Sequence, residues 1–320
     1  QVPDLPTRRV AASGHVVVKF QGSILEYEPG RGSTASRFLV SPGMGMPRGV
    51  SAQRPPKSIV VRDTSVALLS AEGEVFTAGC WMGERLLESR QVALQCEPWV
   101  PLSRPSSPIA AIEFLREGQL LGVGAGGLAV TWRGGEPGTE ALPAAASGDS
   151  LWAVASLDGG ATTVFGKRTV LQREKDGTWS VVRRSPRVWR EDHRFAVLGN
   201  GDLVVADEAI QVWDRSSDSL PMMTLRQSVV GAPKVADLQV LPDGRLVAGF
   251  SVPNEPSLGG WLQVWTPPFR PEGFERVDFP RTIDITDIAS DGVYLYVVGR
   301  GGGVTIAIDS LPVGSRARPN

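Results

Sequence analysis

Short apolar runs alternate with polar-glycine turns along most of the chain. A polar residue followed by glycine between two apolar runs is a strong hairpin signal, because a tight turn needs residues that tolerate positive φ. The turns are Ser13-Gly14, Glu72-Gly73, Glu117-Gly118, Asp158-Gly159, Asn200-Gly201, Asp243-Gly244 and Asp291-Gly292. From the second turn on, the glycines are 45, 41, 42, 43 and 48 residues apart. The pattern predicts a repeating unit of short antiparallel strands.

Each repeat contains enough sequence for four strands. The clearest repeat predicts strands at Ala236–Leu241, Arg245–Phe250, Trp261–Trp265 and Phe274–Phe279. Four strands in about 40–50 residues is the period of a β-propeller blade. The sequence therefore predicts an all-β fold: a seven-bladed β-propeller of four-stranded antiparallel blades, formed as one domain by residues 1–320.

The last repeat is one strand short. It predicts strands at Ile285–Ala289, Val293–Val298 and Val304–Ile308, after which little sequence is left. Residues 1–6 are similar in pattern to the segments that precede the first strands of later repeats. We expect this N-terminal strand to complete the last blade and close the ring, because closure removes an exposed sheet edge.

Two repeats resemble known propeller families. Residues 200–207, Asn-Gly-Asp-Leu-Val-Val-Ala-Asp, together with the strand Ile210–Asp214, resemble the NHL repeat. Residues 240–249, which contain Pro-Asp-Gly, are similar to repeats of secreted bacterial propellers. The chain thus resembles the β-propeller superfamily with NHL-like and WD40-like blades, without the Gly-His pair of true WD40 repeats. The resemblance implies a scaffold for binding and no particular ligand.

Charge and hydropathy exclude some classes of partner. The chain has 33 Lys plus Arg and 34 Asp plus Glu, so no overall field attracts nucleic acid or an anionic membrane. No apolar stretch is long enough to span a bilayer. We expect a monomeric domain that contacts neither nucleic acid nor the membrane interior.

The two cysteines, Cys80 and Cys96, leave two interpretations open. A disulfide would indicate an oxidising compartment, whereas two buried thiols would pack as small apolar side chains. On the predicted strands Cys80 ends a second strand and Cys96 a fourth, so a bridge would have to cross one intervening strand. We predict the disulfide, in a periplasmic, secreted or cell-surface protein whose leader was removed before Gln1.

The long connections are predicted to emerge on one face of the propeller. Connections after second and fourth strands leave a blade on the same side, and the long ones are Ser41–Ser58, Trp81–Gly83, Glu97–Pro108, Arg183–His193 and Ser251–Gly260. Long loops on a rigid scaffold commonly form binding sites, although such insertions are also tolerated as plain surface.

The connection at residues 183–194 contains five arginines around one tryptophan. Guanidinium groups bind carboxylate, phosphate or sulfate bidentately, and an aromatic face adds stacking. Glu191 and Asp192 offer the alternative that the arginines are neutralised within the loop. The predicted binding residues are Arg184, Arg187, Trp189, Arg190, His193, Trp99 and Trp261.

Three acidic residues are predicted to face the central channel. Glu113 and Asp287 each precede a turn glycine by five residues, and Asp237 precedes its glycine by seven. Converging carboxylates could bind a hard cation such as Ca²⁺, or could simply face water. With two histidines in the chain and no nucleophile motif, we predict no catalytic residues and no obligatory cofactor.

These observations favour a non-enzymatic binding scaffold that recognises a protein or glycan partner through long loops on one face. The alternative is a channel-metal-dependent hydrolase or lyase of the propeller type, for which Glu113, Asp237 and Asp287 would be the ligands.

Overall fold

The computed structural model describes residues 7–12, 16–21, 24–29, 46–51, 53–86, 91–133, 135–156, 161–184, 188–207, 209–215, 221–225, 233–252, 258–279 and 282–313. Apart from short 3-10 turns at Ala144–Ala146 and Ile308–Ser310, every regular element in these ranges is a β-strand. The all-β prediction is confirmed. No helix within the same ranges is long and apolar enough to cross a membrane.

The strands form consecutive antiparallel sheets, and in most of them the spatial order of the strands equals their order in the chain. Sheet 1 contains β1 (Thr7–Ala12), β2 (Val16–Gln21) and β3 (Ile24–Pro29); sheet 2 contains β4 (Ser58–Arg62), β5 (Ser65–Leu69), β6 (Val75–Leu86), β7 (Gln91–Cys96) and β8 (Val100–Pro101); sheet 3 contains β9 (Ile109–Phe114), β10 (Leu120–Gly124), β11 (Leu128–Arg133) and β12 (Glu136–Thr139). Sheet 4 contains β13 (Leu151–Ser156), β14 (Thr162–Gly166), β15 (Thr169–Arg173) and β16 (Trp179–Arg184); sheet 5 contains β17 (Arg194–Val197), β18 (Leu203–Ala206), β19 (Ile210–Trp213) and β20 (Met223–Leu225). Sheet 6 contains β21 (Lys234–Val240), β22 (Leu246–Ser251), β23 (Trp261–Trp265) and β24 (Phe274–Asp278); sheet 7 contains β25 (Asp284–Ser290), β26 (Tyr294–Arg300) and β27 (Gly302–Ala307).

The first strands of the sheets form a closed ring. Each first strand contacts the first strand of the next sheet, and β25 contacts β1. The Val10 N–H donates to Asp287 Oδ2 across that last junction, with 2.8 Å between the two atoms. These inner strands surround a central channel, so the chain is a β-propeller of antiparallel blades.

The sheets at the two chain ends determine the number of blades. Sheets 1 and 7 each contain three described strands, whereas the five sheets between them contain four or five. Counting the two end sheets as one composite blade gives six blades, and counting them separately gives the predicted seven. The strand predicted to complete sheet 7, residues 1–6, lies outside the described residues.

The hydrophobic core is divided into layers between consecutive sheets. Separate clusters of buried apolar side chains lie at the junctions, from that of sheets 1 and 2 to that of sheets 7 and 1. The third strands of sheets 5 and 6 end in Trp213 and Trp265, both fully buried. A large ring fills the wide outer part of such a junction, so these tryptophans serve packing.

In sheet 2, the predicted strand positions are shifted by one strand relative to the structure. The Glu72-Gly73 turn joins β5 to β6, and the inner hairpin is instead closed by Asp63, whose φ is 50°. As a result, Trp81–Gly83 is part of the long strand β6 and is not a loop. The N-terminal half of β6 pairs with β8 and its C-terminal half with β7.

The predicted disulfide is present, but its position differs from the prediction. Cys80 and Cys96 lie directly opposite each other on the adjacent strands β6 and β7, with 4.0 Å between their Cα atoms. No strand separates them, because Cys80 belongs to the third strand of the sheet and not to the second. The bridge joins the outer strand of sheet 2 to the rest of the sheet.

The C-terminal segment turns back against sheet 6. Arg245 is buried and donates to the Ile308 and Leu311 carbonyl oxygens over 2.9 and 3.0 Å. The Arg245 Nε also donates to Asp243 Oδ2 over 2.7 Å, which balances its charge. Residues 308–313 are therefore tied across the junction of sheets 6 and 7 and do not form a fourth strand.

We expect the double variant Cys80→Ser/Cys96→Ser to unfold with a free energy about 2–4 kcal/mol below wild type, because the bridge closes a loop across a sequence separation of 16. Denaturant titration followed by tryptophan fluorescence measures the difference. Wild type treated with a reductant should match the variant, and equal stability of all three samples would contradict a stabilising role for the bridge.

Candidate functional site

The candidate site lies at one end of the channel, where the inner strands begin. We call this end the channel mouth. Connections that follow fourth strands arrive there, and so do those that follow second strands, because alternate ends of antiparallel strands share a side. Two cavities open at the mouth, of about 420 and 520 Å³.

Two chain segments meet across the mouth from distant sheets. Lys57 precedes β4 of sheet 2, and Glu191 precedes β17 of sheet 5. Their Nζ and Oε1 atoms are 3.9 Å apart. Pro55 and Pro56, which precede Lys57, line the larger cavity together with residues of sheets 5, 6 and 7. The mouth is therefore a composite surface, and no single blade forms it.

Four basic side chains line the larger cavity, which we call the basic cavity. They come from sheets 1, 5, 6 and 7 and are Arg9, Arg194, Lys234 and Arg300. No Asp or Glu is among the described residues that line it. Inner strands from different sheets begin side by side in a propeller, so charged residues at their first positions converge although they are far apart in sequence.

Two of the four cations have carboxylate partners. Arg300 Nε lies 3.1 Å from Oδ2 of the buried Asp284, and Arg9 Nη1 lies 3.9 Å from Asp287 Oδ1. In the described part of the chain, no carboxylate lies within ion-pair distance of Arg194 or Lys234. These two residues give the cavity a net positive charge.

Backbone carbonyl groups fix the side chain of Arg194. Its Nε donates to the Ala236 oxygen over 2.6 Å, and its Nη1 donates to the Asp192 oxygen over 3.0 Å. Carbonyl oxygens orient a guanidinium group without cancelling its charge. Arg194 is thus a preorganised cation at the junction of sheets 5 and 6.

Asp237 and Asp287 form a carboxyl pair inside the channel. Each follows a β-bulge in its inner strand, and each accepts a backbone N–H from the next inner strand, Asp237 from Ile288 over 3.0 Å and Asp287 from Val10 over 2.8 Å. Burial and the neighbouring Asp237 raise the pKa of Asp287 well above its usual range, against the lowering effect of Arg9. The raised pKa favours the protonated, neutral form of the Asp287 carboxyl next to Asp237.

Glu113 is not equivalent to Asp287, contrary to the prediction. Asp237 and Asp287 each lie three residues before the end of their inner strand, whereas Glu113 lies one residue before the end of β9. Equal distances to the turn glycines were misleading, because the glycines occupy different positions in turns of different length. Burial in the channel raises the pKa of Glu113 to about 7, although the Phe114 N–H bond and the charge of Arg62 act to lower it.

The predicted metal ligands are not grouped as a metal site. Glu113, Asp237 and Asp287 all line the smaller cavity. Within the described ranges, however, no three Asp, Glu, His or Cys side chains come close enough to share a metal ion. Asp237 and Asp287 are instead bonded to the backbone of neighbouring strands. Calcium binding stays a prediction without such a ligand group to support it.

The arginine-rich connection divides into exposed and buried parts. Arg184 and Arg190 are exposed, and Arg187 lies outside the described residues. Trp189 is only 3% exposed and packs among aromatic rings, 6.2 Å from the Phe165 centroid and 6.3 Å from that of Trp213. This corrects the expectation of a surface aromatic: the indole anchors the loop to the core between sheets 4 and 5.

His193 lies at the channel mouth, where it lines the smaller cavity. Its Nε2 is 3.6 Å from Asp207 Oδ2, and its side chain is 11% exposed. The ring also packs beside Phe195, with 6.2 Å between the ring centroids. Of the predicted binding residues that the structure describes, His193 is thus the one that lines the channel cavity.

The two other predicted tryptophans lie elsewhere. Trp261 is 3% exposed, stacks on Phe250 at 5.4 Å and is covered by Arg276, whose guanidinium carbon is 4.6 Å from the ring centroid. It is therefore a core residue, again contrary to a surface role. Trp99 lines a separate groove of about 650 Å³ between sheets 2 and 3, together with Trp132.

Sequence reasoning missed the residues that form the basic cavity. Lys234 and Arg300 are isolated charges in the sequence, and Arg9 has only Arg8 beside it, so no larger charge cluster marks them. One signal was available: Arg194 and Lys234 are the first residues of inner strands, and Arg300 is the last of a second strand. All these strand ends lie at the mouth.

The raised pKa of Glu113 predicts a pH-dependent stability. Because its pKa in the folded protein is about 7 and its usual value is 4.5, the folded state gains from the bound proton below about pH 4.5 and loses that gain as the pH rises through 7. We expect Glu113→Gln to become more stable relative to wild type between pH 5 and pH 8, by about 1–2 kcal/mol after allowance for screening by channel water. Thermal or chemical unfolding at both pH values measures the change, and parallel profiles would contradict the assignment.

Comparisons with known proteins identify the fold only. No protein-family model and no curated protein matches the chain. Among solved structures, the WD40 β-propeller domain of Doa1 is similar at 12% identity, with 94% of this chain and 92% of that chain covered and a TM-score of 0.60. A virginiamycin B lyase from Staphylococcus aureus is similar at 9% identity, with 95% of both chains covered and a TM-score of 0.59. YCF48, solved with a D1 peptide, is similar at 11% identity, with 96% of this chain and 95% of that chain covered and a TM-score of 0.58. Such identities show a shared fold and nothing finer, so the chain is a β-propeller protein whose function has to be argued from its own site.

Proposed function

We propose that the protein is a non-enzymatic binding module that recognises a protein or glycan partner at the channel mouth. The observation that carries this proposal is the convergence of separate segments at one rigid place: residues 55–57 and 190–193 meet over the inner strands, with Lys57 and Glu191 only 3.9 Å apart. Surfaces assembled from loops on a stiff scaffold are well suited to recognition, because little conformational entropy is lost on binding.

The distribution of exposed charge supports this face. Arg184 and Arg190 are exposed on the connection that enters β17, and Lys234 is exposed at the start of β21. The buried Trp189 holds the loop between them in place. A basic and fixed surface favours a partner that presents acidic groups.

One of the solved structures of this fold is consistent with binding: YCF48 was solved with a bound D1 peptide. At 11% identity it supports a scaffold function by fold-level analogy alone.

The remaining features of the proposal concern assembly and location. We propose that sheets 1 and 7 are separate blades, which makes seven, because the inner strands contact one another in a ring that includes both β1 and β25. We also propose a monomeric domain in an oxidising compartment, the periplasm or the cell exterior. The Cys80–Cys96 disulfide supports that location, since such bridges are rare in a reducing cytosol.

The second candidate is a hydrolase or lyase that works in the channel. It is favoured by one observation, the titratable groups that face the smaller cavity: Glu113, with a pKa of about 7, and Asp287, whose pKa is raised by burial and by the neighbouring Asp237. Perturbed carboxyl groups in a cavity are suited to general acid and base roles. The similar fold of the virginiamycin B lyase is consistent with this candidate as well.

Charge reversal at the mouth is expected to abolish partner capture. We predict that wild-type protein immobilised on beads retains a partner from the source organism's envelope fraction, and that Arg184→Glu/Arg190→Glu reduces its recovery at least tenfold. Both side chains are exposed, so the variant should fold normally. Quantitative mass spectrometry of the eluted proteins and glycans measures the recovery.

The matched control places the same charge change at the opposite end of the channel. Arg116 and Lys175 are exposed in turns at that end, and Arg116→Glu/Lys175→Glu should capture the partner as wild type does. Equal recovery by all three proteins would refute recognition at the mouth. Turnover that is lost in Glu113→Gln, in the absence of any captured partner, would favour the enzymatic candidate.

A further inference from the structure

We infer that the basic cavity binds an organic carboxylate, with the carboxylate group between Arg194 and Lys234 and an apolar body on the cavity wall. The inference rests on the proposed function, because the carboxylate is taken to be part of the ligand that the protein recognises. A free organic acid and the C-terminus of a peptide share this chemistry. The basic residues of the site do not form a cluster in the linear sequence, because they belong to four different sheets.

The charge of the cavity favours an anionic ligand. Arg9 and Arg300 lie within ion-pair distance of Asp287 and Asp284, but Arg194 and Lys234 have no carboxylate within that distance in the described ranges. Cations that converge without anions repel one another, so a bound anion would relieve the repulsion. A ligand with one or two negative charges matches this balance.

The geometry of Arg194 favours a carboxylate. Its Nε and Nη1 already donate to the carbonyl oxygens of Ala236 in sheet 6 and of Asp192 in the connection before β17, which fixes the plane of the guanidinium group. A guanidinium held in one plane presents its remaining N–H groups in fixed directions, and a planar carboxylate fits that arrangement. The ammonium group of Lys234, at the start of the adjacent inner strand, can approach the second oxygen.

The cavity wall explains why the ligand has an apolar body. Pro55, Pro56, Val235, Ala236 and Ile285 lie beside the cations in the same cavity. A small hydrated ion such as phosphate would leave this apolar surface exposed to water, whereas a hydrocarbon group would cover it and remove it from water. The volume of about 520 Å³ is in the range of small-ligand pockets and accepts a group as large as a phenyl ring.

The experiment is isothermal titration calorimetry of the intact chain with four probes. They are phenylacetate, the neutral phenylacetamide, inorganic phosphate and the peptide acetyl-Gly-Gly-Phe with a free C-terminus. We expect phenylacetate and the peptide to bind at least tenfold more tightly than phenylacetamide and phosphate, with affinities that fall as the salt concentration rises. Tighter binding of the peptide identifies a chain terminus as the ligand, and equal binding identifies a free acid; both support the site.

The matched variants locate the binding. Lys234→Glu should weaken carboxylate binding at least tenfold, and Lys175→Glu, at the other end of the channel, should not change it. Both lysines are exposed, so neither variant should alter the melting temperature by more than a few degrees. Absence of carboxylate binding, binding unchanged in Lys234→Glu, or phosphate binding as tight as that of phenylacetate would overturn the inference.

The outcome is distinguishable from that of the proposed function. If Arg184→Glu/Arg190→Glu loses a captured partner while no carboxylate probe binds, the binding module stands and the carboxylate site fails. If phenylacetate binds through Lys234 but no partner is captured, the carboxylate site is supported and the proposal of a macromolecular partner is refuted.

Discussion

Closure of the ring is the constraint on which the rest of this structure depends. Each sheet is apolar on both faces and therefore requires a neighbour on both sides, so no sheet can be stable alone. The clusters of buried side chains lie at the junctions, including the one between the first and last sheets. At that last junction the Asp287 carboxyl accepts the Val10 N–H, which ties residues 277 positions apart. Contacts between residues that are close in sequence could not bring these two sheets together.

The same closure places charge in the channel. Asp237 and Asp287 occupy equivalent positions after β-bulges, and each accepts a backbone N–H from the next inner strand. The two hydrogen bonds therefore fix the positions of β21, β25 and β1 relative to one another along the channel. Ring closure also brings together the ends of inner strands that carry isolated basic residues. The carboxyl pair therefore acts mainly within the ring, whereas Arg194 and Lys234 remain available at its mouth.

Much of the fold was predictable because local turn chemistry repeats. In sheet 6, the predicted strand Trp261–Trp265 agrees with the structure, and the other three agree to within two residues. The prediction for sheet 2 was wrong because its inner hairpin turn, Asp63-Thr64, contains no glycine. The Glu72-Gly73 turn that follows was therefore assigned to the first and second strands, whereas it joins the second and third. The disulfide was predicted for the right cysteines with the wrong strand between them for the same reason.

The candidate site was less predictable, because it depends on which strand ends converge. The arginine-rich segment stood out in the sequence, yet its tryptophan is buried in the core. Lys234 and Arg300 are not distinctive in the sequence because a single charge at a strand end is common, and Arg9 is part of an ordinary Arg8-Arg9 pair. These residues form a site only in the closed ring, where side chains from four sheets line one cavity.

Hydrogen exchange of the protein with and without its captured partner tests most directly the claim that recognition occurs at the mouth. The account predicts slower exchange in peptides that cover residues 53–58, 188–194 and 234–237, and unchanged exchange in residues 174–177 at the opposite end. Protection confined to the opposite end, or to the groove beside Trp99, would contradict it.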